Sequence, residues 1–455
     1  MPSLVGSEMC IRDRSIMTTN EIREIEKGYL IPCSELLLKR RGTANWQVWH
    51  NSGLIALGVA LQNDSIINVA INDPECGYHA QMERYVMNDG WWGEGSPTYH
   101  YYPLRAMLLS ADAVRCRNIN LYDRKLYKML VAPASGVYAD LYFPAHNDGW
   151  YGESLIAQVS LYEIACQRYN NDPFFLSVLQ QCYRYTDRNF GEALQNNIEI
   201  PQVTSMETWP SVHFKETGYA VLRSGTKTVV MKYGPHGGGH GHPDKLSISI
   251  HDGEKEIVSD MGTCAYGVPA FTKWYRKTLS HSTLTVDAKD QKESTGKLLA
   301  FKAYKDGGEV SAEAPDAYSG VTMERKLILK KNKLTDILTA RSDEQHLYDY
   351  VLILTEKPVF SQTGEVIILN DSPSYNYIKN AIVRKQSSPL SCKIGKAYMK
   401  IEVSEGQEFE VITGEAPGIP PGNGSVLSKY DSPFCYPLIV RVKDKKLRIK
   451  TEWKF

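Results

Sequence analysis

The stretch Tyr233–Gly262, YGPHGGGHGHPDKLSISIHDGEKEIVSDMG, sets three histidines among glycines just before an alternating apolar run. Leu246, Ile248 and Ile250 alternate, Asp252-Gly253 supplies a turn, and Ile257 and Val258 return, which is the pattern of a β-hairpin. Pairing about a two-residue turn sets Lys245 opposite Asp260, so His242 and Asp260 share the open end of the hairpin. Glycine lets the preceding loop bend freely and lie close to a ligand. Imidazole offers a metal ligand or a proton carrier near neutral pH.

Period-two patterning extends from this hairpin in both directions. In GYAVLRSGTKTVVMKYG (Gly218–Gly234) the dipeptide Ser224-Gly225 separates two alternating runs, and in RKLILKKNKLTDILTA (Arg325–Ala340) Lys331-Asn332 does the same. Before residue 200 the period is helical. NWQVWHNSGLIALGVAL (Asn45–Leu61) places Trp46, Trp49, Gly53, Leu57 and Leu61 on one helix face, and Leu155, Val159, Tyr162 and Cys166 share another. NDPFFLSVLQQCYRY (Asn171–Tyr185) opens with Asp172 as cap and Pro173 in the first turn. The segment NDGWWGEGS (Asn88–Ser96) recurs as NDGWYGESL (Asn147–Leu155), each before a helix, as a repeated helix-pair unit would show.

The reading is α+β and multidomain: a partial helical (α/α) toroid over 15–205, an antiparallel β-sandwich over 211–390, and a small β region over 391–455. The last contains a long loop, GEAPGIPPGNGS (Gly414–Ser425). The first fourteen residues, MPSLVGSEMCIRDR, have no apolar core or cleavage pattern and resemble translated sequencing-adapter segments. They are read as non-native, with the natural start upstream and any signal peptide lost.

Lysine plus arginine and aspartate plus glutamate each number 52, so the net charge of zero gives no support to nucleic acid as a partner. No apolar run reaches the ~18 residues of a membrane span. The nine cysteines form no CxxC pair, which leaves thiolate zinc and disulfide frameworks weakly supported. An excess of 28 Tyr and 8 Trp over 11 Phe suits sugar binding, and equally suits half-buried packing.

WYRKTLSHSTLTVD (Trp274–Asp287) carries His281 into a further strand. With His242 and Asp260 it makes two imidazoles and one carboxylate, the ligand preference of zinc. A buried hydrogen-bonded trio without metal is the alternative. His240 is a candidate for acid–base or carboxylate-neutralising work, or else a structural loop histidine.

Together GGGHGHPDKLSISI (Gly237–Ile250), SDMGTCAYG (Ser259–Gly267) and WYRKTLSHSTLTVD resemble the heparinase II/III-like polysaccharide lyases, which include alginate lyases and heparin or heparan sulfate lyases. NWQVWHNSGLIALG and DGWWGEGSPTYHYYPLRA resemble the catalytic stretches of that family's helical half, so the likeness covers about residues 35–390. HGHPDKL and WYRKTLSH most resemble the alginate lyase and exolytic heparin lyase branch. Relatives carry more toroid helices before this point, which implies an N-terminally truncated member.

The resemblance implies an incomplete toroid followed by a β-sandwich, cleavage of an acidic, uronate-containing polysaccharide by β-elimination, and a periplasmic or secreted parent protein. It implies Tyr99 as catalytic tyrosine, His50 or Asn51 beside the substrate carboxylate, His240 as catalytic histidine, and His242, Asp260 and His281 as ligands of a structural zinc. His50 as base with Tyr99 as acid is the first assignment, and Tyr99 in both roles the second. Trp92, Glu94, Tyr266 and Arg276 are candidates for substrate contact, with Arg105, Trp91 and Trp274 behind them. Two alternatives stand beside this. A toroid glycoside hydrolase would use a carboxylate pair drawn from Asp89, Glu94, Asp148 and Glu153. A fragment that binds carbohydrate without catalysis is the other.

Overall fold

The structure is a computed structural model that describes residues 17–189, 198–200, 209–419 and 433–455. The adapter-like segment and the part of the Gly414–Ser425 loop from 420 onward lie outside the described residues.

Helices fill the first half: Ala44–Ala60, Asp64–Asn72, Tyr78–Tyr85, Pro97–Ala113, Arg124–Ala134, Val159–Arg168 and Pro173–Cys182 follow two shorter ones at Thr19–Ile25 and Ile31–Lys39. Their starts follow from local chemistry. Ser96 accepts from the Tyr99 amide with Pro97 next in line, and Asp172 accepts from the Phe174 amide ahead of Pro173. Such caps satisfy amides that have no partner inside the helix. Leu54, Ile55, Trp92, Leu104, Met107, Leu130 and Tyr162 share one buried core.

The helix Ala44–Ala60 forms where the spacing places it but turns the other way. Trp46 is 70% exposed, while Asn45, Gln47, Val48, Asn51, Ser52, Leu54 and Ile55 are buried. Half of that inner face is amide and hydroxyl, and these groups pay their desolvation through hydrogen bonds. Gln47 Oε1 accepts from the Gly42 amide and Asn51 Nδ2 donates to the Cys76 carbonyl. Hydrophobicity alone therefore marked the wrong face.

From Val212 onward the chain is antiparallel sheet. Tyr219–Ser224, Lys227–Lys232, Ser247–His251 and Glu256–Val258 form a meander. Its first two strands are buried on nearly every residue instead of alternating. The sheet has cover on both sides, and Arg223 reaches the helical half at the Ser135 and Val137 carbonyls. Trp91, Ala132 and Tyr138 pack on Phe214, Tyr219, Val221 and Val230, so the two halves share an apolar seam.

The hairpin at Tyr233–Gly262 forms with a different register. Ile250 pairs with Val258 and His251 with Glu256, so Lys245 does not face Asp260. The turn runs from Asp252 to Lys255, with the Asp252 carboxylate accepting from the Glu254 and Lys255 amides and the Asp252 amide donating to the Lys255 carbonyl. Two extra residues and a register shift displace the return strand, yet His242 and Asp260 still meet at its open end.

The strand Lys333–Leu354 pairs with Phe434–Lys454 along nearly its whole length, across a shift between Arg341 and His346. Its first half also pairs with Thr322–Lys330, and its second half with Leu284–Val286 and Val258. This hairpin joins the layers of the β half. The last strand thus continues the sheet of the preceding region instead of closing a unit of its own.

Candidate active site

The site lies where the glycine-histidine loop of the β half meets the second Asn-Asp-Gly loop of the helical half. Gly237 holds φ +92°, and a side chain there would strike the Asn147 amide and the Glu94 carbonyl, each 2.9 Å from the would-be Cβ. A Cβ on Gly241 would sit 1.8 Å from the His236 carbonyl oxygen. Glycine is thus required for the loop to close against its neighbour.

Asp148, 1% exposed, is the centre of the contact. Its Oδ2 lies 2.9 Å from His240 Nδ1, its Oδ1 3.0 Å from His242 Nε2, and its amide donates to the His240 carbonyl at 3.1 Å. Burial alone would raise its pKa, but the hydrogen bonds from His240 and His242 outweigh it and hold the carboxyl well below the usual range. Beside it, Asn147 accepts from the buried Lys232 ammonium and donates to the Gly95 carbonyl at 2.8 Å.

Tyr99 stacks on the His240 ring with centroids 3.7 Å apart, and its hydroxyl hydrogen-bonds that of Tyr266. Tyr266 is 55% exposed, and its hydroxyl lies 3.4 Å from both Asp148 Oδ2 and His240 Nδ1. Burial first, then the Tyr266 hydrogen bond and the charges of Asp148 and Glu94, push the Tyr99 phenol far above its ordinary pKa. It therefore holds its proton in this arrangement.

The structure brings Tyr99, His240, Tyr266 and Asp148 into one cluster, with Glu94 close enough to act on Tyr99. Glu94 is held by the Asn45 amide at 3.0 Å and by Trp92 Nε1 at 3.0 Å. Trp92 is itself fully buried, so it orients Glu94 and presents no ring to solvent. Arg276 donates to the Gly241 carbonyl at 2.8 Å and lies over the Phe271 ring, which braces the histidine loop. His50 has its Nδ1 3.2 Å from the Arg40 carbonyl, and no described hydrogen bond or ring contact joins it to Tyr99 or His240. Asn51 is 1% exposed, and its amide is engaged by Arg41, Gln47 and the Cys76 carbonyl.

His242, Asp260 and His281 are all buried, and their ligand atoms lie within 4.8 Å of one another. His242 Nδ1, Asp260 Oδ2 and both His281 ring nitrogens have no hydrogen-bond partner, a costly arrangement in a protein interior. Burial lowers the His242 pKa to about 4, which favours the neutral, ligating imidazole. For His281 burial also lowers it, but the Asp260 charge outweighs this and raises it. The donor set and its orphaned atoms fit a bound metal ion.

Asn147 and Asn45 are the members of this site that sequence reasoning missed, and Asp148 was considered only as a hydrolase carboxylate, not as the partner of the two histidines. The signal was the repeated Asn-Asp-Gly segment, whose second copy carries Asn147 and Asp148.

Residues 206–350 match the model of the heparinase II/III-like C-terminal domain. An exo-oligoalginate lyase of Saccharophagus degradans is 24% identical over 390 residues, and an alginate lyase of Stenotrophomonas maltophilia 25% over 391. Each alignment covers 74% of this chain and 52% of the relative. The chain thus carries a region similar to the heparinase II/III-like C-terminal domain. It spans about half the length of these curated relatives. Among solved structures, heparinase III superposes with a TM-score of 0.70 at 14% identity, covering 99% of this chain and 68% of that one. The heparan sulfate lyase HepC of Pedobacter heparinus gives 0.68 at 16%, covering 92% and 62%. The fold of this chain is therefore an incomplete (α/α) toroid followed by an antiparallel β-sandwich.

Proposed function

We propose that this chain carries the lyase centre of an enzyme that cleaves an acidic, uronate-containing polysaccharide or oligosaccharide by β-elimination. The observation that carries the reading is the stack of Tyr99 on His240 beside Tyr266 and Asp148, a proton-transfer cluster at the seam of the two halves.

Elimination takes the proton beside the uronate carboxylate, breaks the bond to the glycosidic oxygen, and leaves a carbon–carbon double bond conjugated with the carboxylate. The leaving oxygen needs a proton. Tyr99, which holds its own firmly in the free protein, supplies it as general acid. His50 takes the other proton: its Nδ1 faces the Arg40 carbonyl and so carries the hydrogen, leaving Nε2 as the basic nitrogen. His240, with the exposed Tyr266, faces the substrate carboxylate and stabilises the charge that develops there, as an oxyanion hole does. Zinc held by His242, Asp260 and His281 is structural in this reading: it pins the hairpin that presents His240.

A hydrolase is disfavoured because three of its four candidate carboxylates are already engaged. Asp148 meets two histidines, Asp89 the Glu216 and Thr217 amides, and Glu94 the Asn45 amide and Trp92 Nε1.

Incubation with alginate, heparan sulfate and hyaluronan, followed by ultraviolet absorbance of the conjugated uronate, tests the proposal. Signal on one polymer, lost in Tyr99→Phe, supports it and names the substrate. New reducing ends without absorbance would overturn it in favour of hydrolysis.

A further inference from the structure

Asp148 is buried, yet the elimination scheme gives it no proton to move and no sugar to touch. Its two oxygens meet two different imidazoles, one from each job the histidine loop performs. Each carboxylate oxygen lies within hydrogen-bond distance of one ring nitrogen and accepts from it, so the ring nitrogens that face it both carry hydrogen. That places the hydrogen of His240 on Nδ1 and that of His242 on Nε2. The remaining nitrogens are then free to act. His242 Nδ1 is buried without a partner and belongs to the cluster with Asp260 and His281. His240 Nε2 is turned from Asp148 on a side chain that is 26% exposed. The backbone bond from the Asp148 amide to the His240 carbonyl adds a third point of registry.

We propose that Asp148 is a positioning residue that sets the tautomers of His240 and His242 together, so that one carboxylate from the helical half orients both the substrate-facing and the metal-facing imidazole. Only the part concerning turnover rests on the lyase reading. Asp148→Asn exchanges one accepting oxygen for a donating NH2. Such an amide satisfies one imidazole as it stands and forces the other to move its hydrogen to the far nitrogen.

The test uses the zinc-loaded protein and has two readouts that need no activity. Long-range 15N–1H spectra of the histidine rings are expected to show hydrogen on Nδ1 of His240 and on Nε2 of His242. Hydrogen on Nε2 of His240 would overturn the proposal. Chelator competition is expected to show zinc held at least ~10-fold more weakly in Asp148→Asn, the usual cost of losing an outer partner of a metal-bound histidine. On a substrate the parent cleaves, kcat of that variant is expected to fall while KM stays within about twofold, because the group acts through another and not on the sugar. Parent-like zinc affinity together with parent-like kcat would overturn it. If the variant fails to fold, the parent spectra still decide. If the parent cleaves nothing, the lyase reading fails, while spectra and zinc affinity still judge this inference.

Discussion

The two Asn-Asp-Gly loops share a sequence and a destination but not a task. Both leave the helical half and dock on the β half. In the first, the Asp89 carboxylate accepts from the Glu216 and Thr217 amides at 2.8 Å and from the Thr217 hydroxyl, while Asn88 pairs with Glu216. Its partners are a plain turn, and Asn88 is exposed. In the second, Asp148 meets two histidines and Asn147 meets a buried lysine. One copy is a latch. The other meets the imidazoles of the β loop opposite it, and in the proposed reaction it belongs to the chemistry. The same segment thus makes a plain backbone contact in one place and a contact to the candidate site in the other.

Between the loops sits Tyr99, on the helix that follows the first copy and over the histidine held by the second. Tyr99→Phe is expected to lower kcat for elimination by about 100- to 10,000-fold, the span of positioned proton transfer. Initial rates of unsaturated-uronate formation check this. An unchanged rate would remove Tyr99 from the chemistry.

Removing the metal acts on the same side of the comparison. Dialysis against a strong chelator is expected to lower both activity and the thermal midpoint, with zinc restoring both. His242→Ala is expected to copy the chelated state and to resist rescue. Metal analysis with calorimetry checks it.

The latch gives a smaller and different effect. Asp89→Ala leaves two backbone amides and a hydroxyl without their acceptor, at a cost of about 1–3 kcal/mol. Stability by denaturant unfolding is expected to fall accordingly, with kcat unchanged below the transition. A fall in kcat would erase the distinction between the copies.

A third contact between the halves is read through pH instead of turnover: the Tyr138 hydroxyl donates to buried Glu256, and the Tyr138 ring stacks on His251 of the His251–Asp140 pair. Burial lifts Glu256 to about 8, against an unfolded value of about 4.3. The folded chain then keeps a proton that the unfolded chain releases, so this stabilisation is complete below about pH 4.3 and is lost as pH rises through about 8. Glu256→Gln is expected to flatten that slope in thermal midpoints measured from pH 5 to 9.

Much of the frame was legible because its cues are local. Asp172-Pro173 starts a helix, Lys331-Asn332 turns a hairpin, and the histidine spacing points to the triad with Asp260 and His281. The inner face of Ala44–Ala60 was not, since its buried groups are amides whose partners come from other elements. Nor was the role of Asp148. An aspartate before glycine reads as a turn residue, and the histidines that redefine it lie 92 and 94 residues away.

The central claim is that Asp148 in the second loop serves catalysis and Asp89 in the first only architecture. The most direct measurement is kcat for unsaturated-uronate formation in the parent, Asp89→Ala and Asp148→Asn, each at a temperature where it is fully folded. The account predicts parent-like turnover in Asp89→Ala and a loss of about 100- to 1,000-fold in Asp148→Asn, the range for losing an oxyanion-hole donor such as the His240 it orients. Equal losses in both variants, or none in Asp148→Asn, would contradict it.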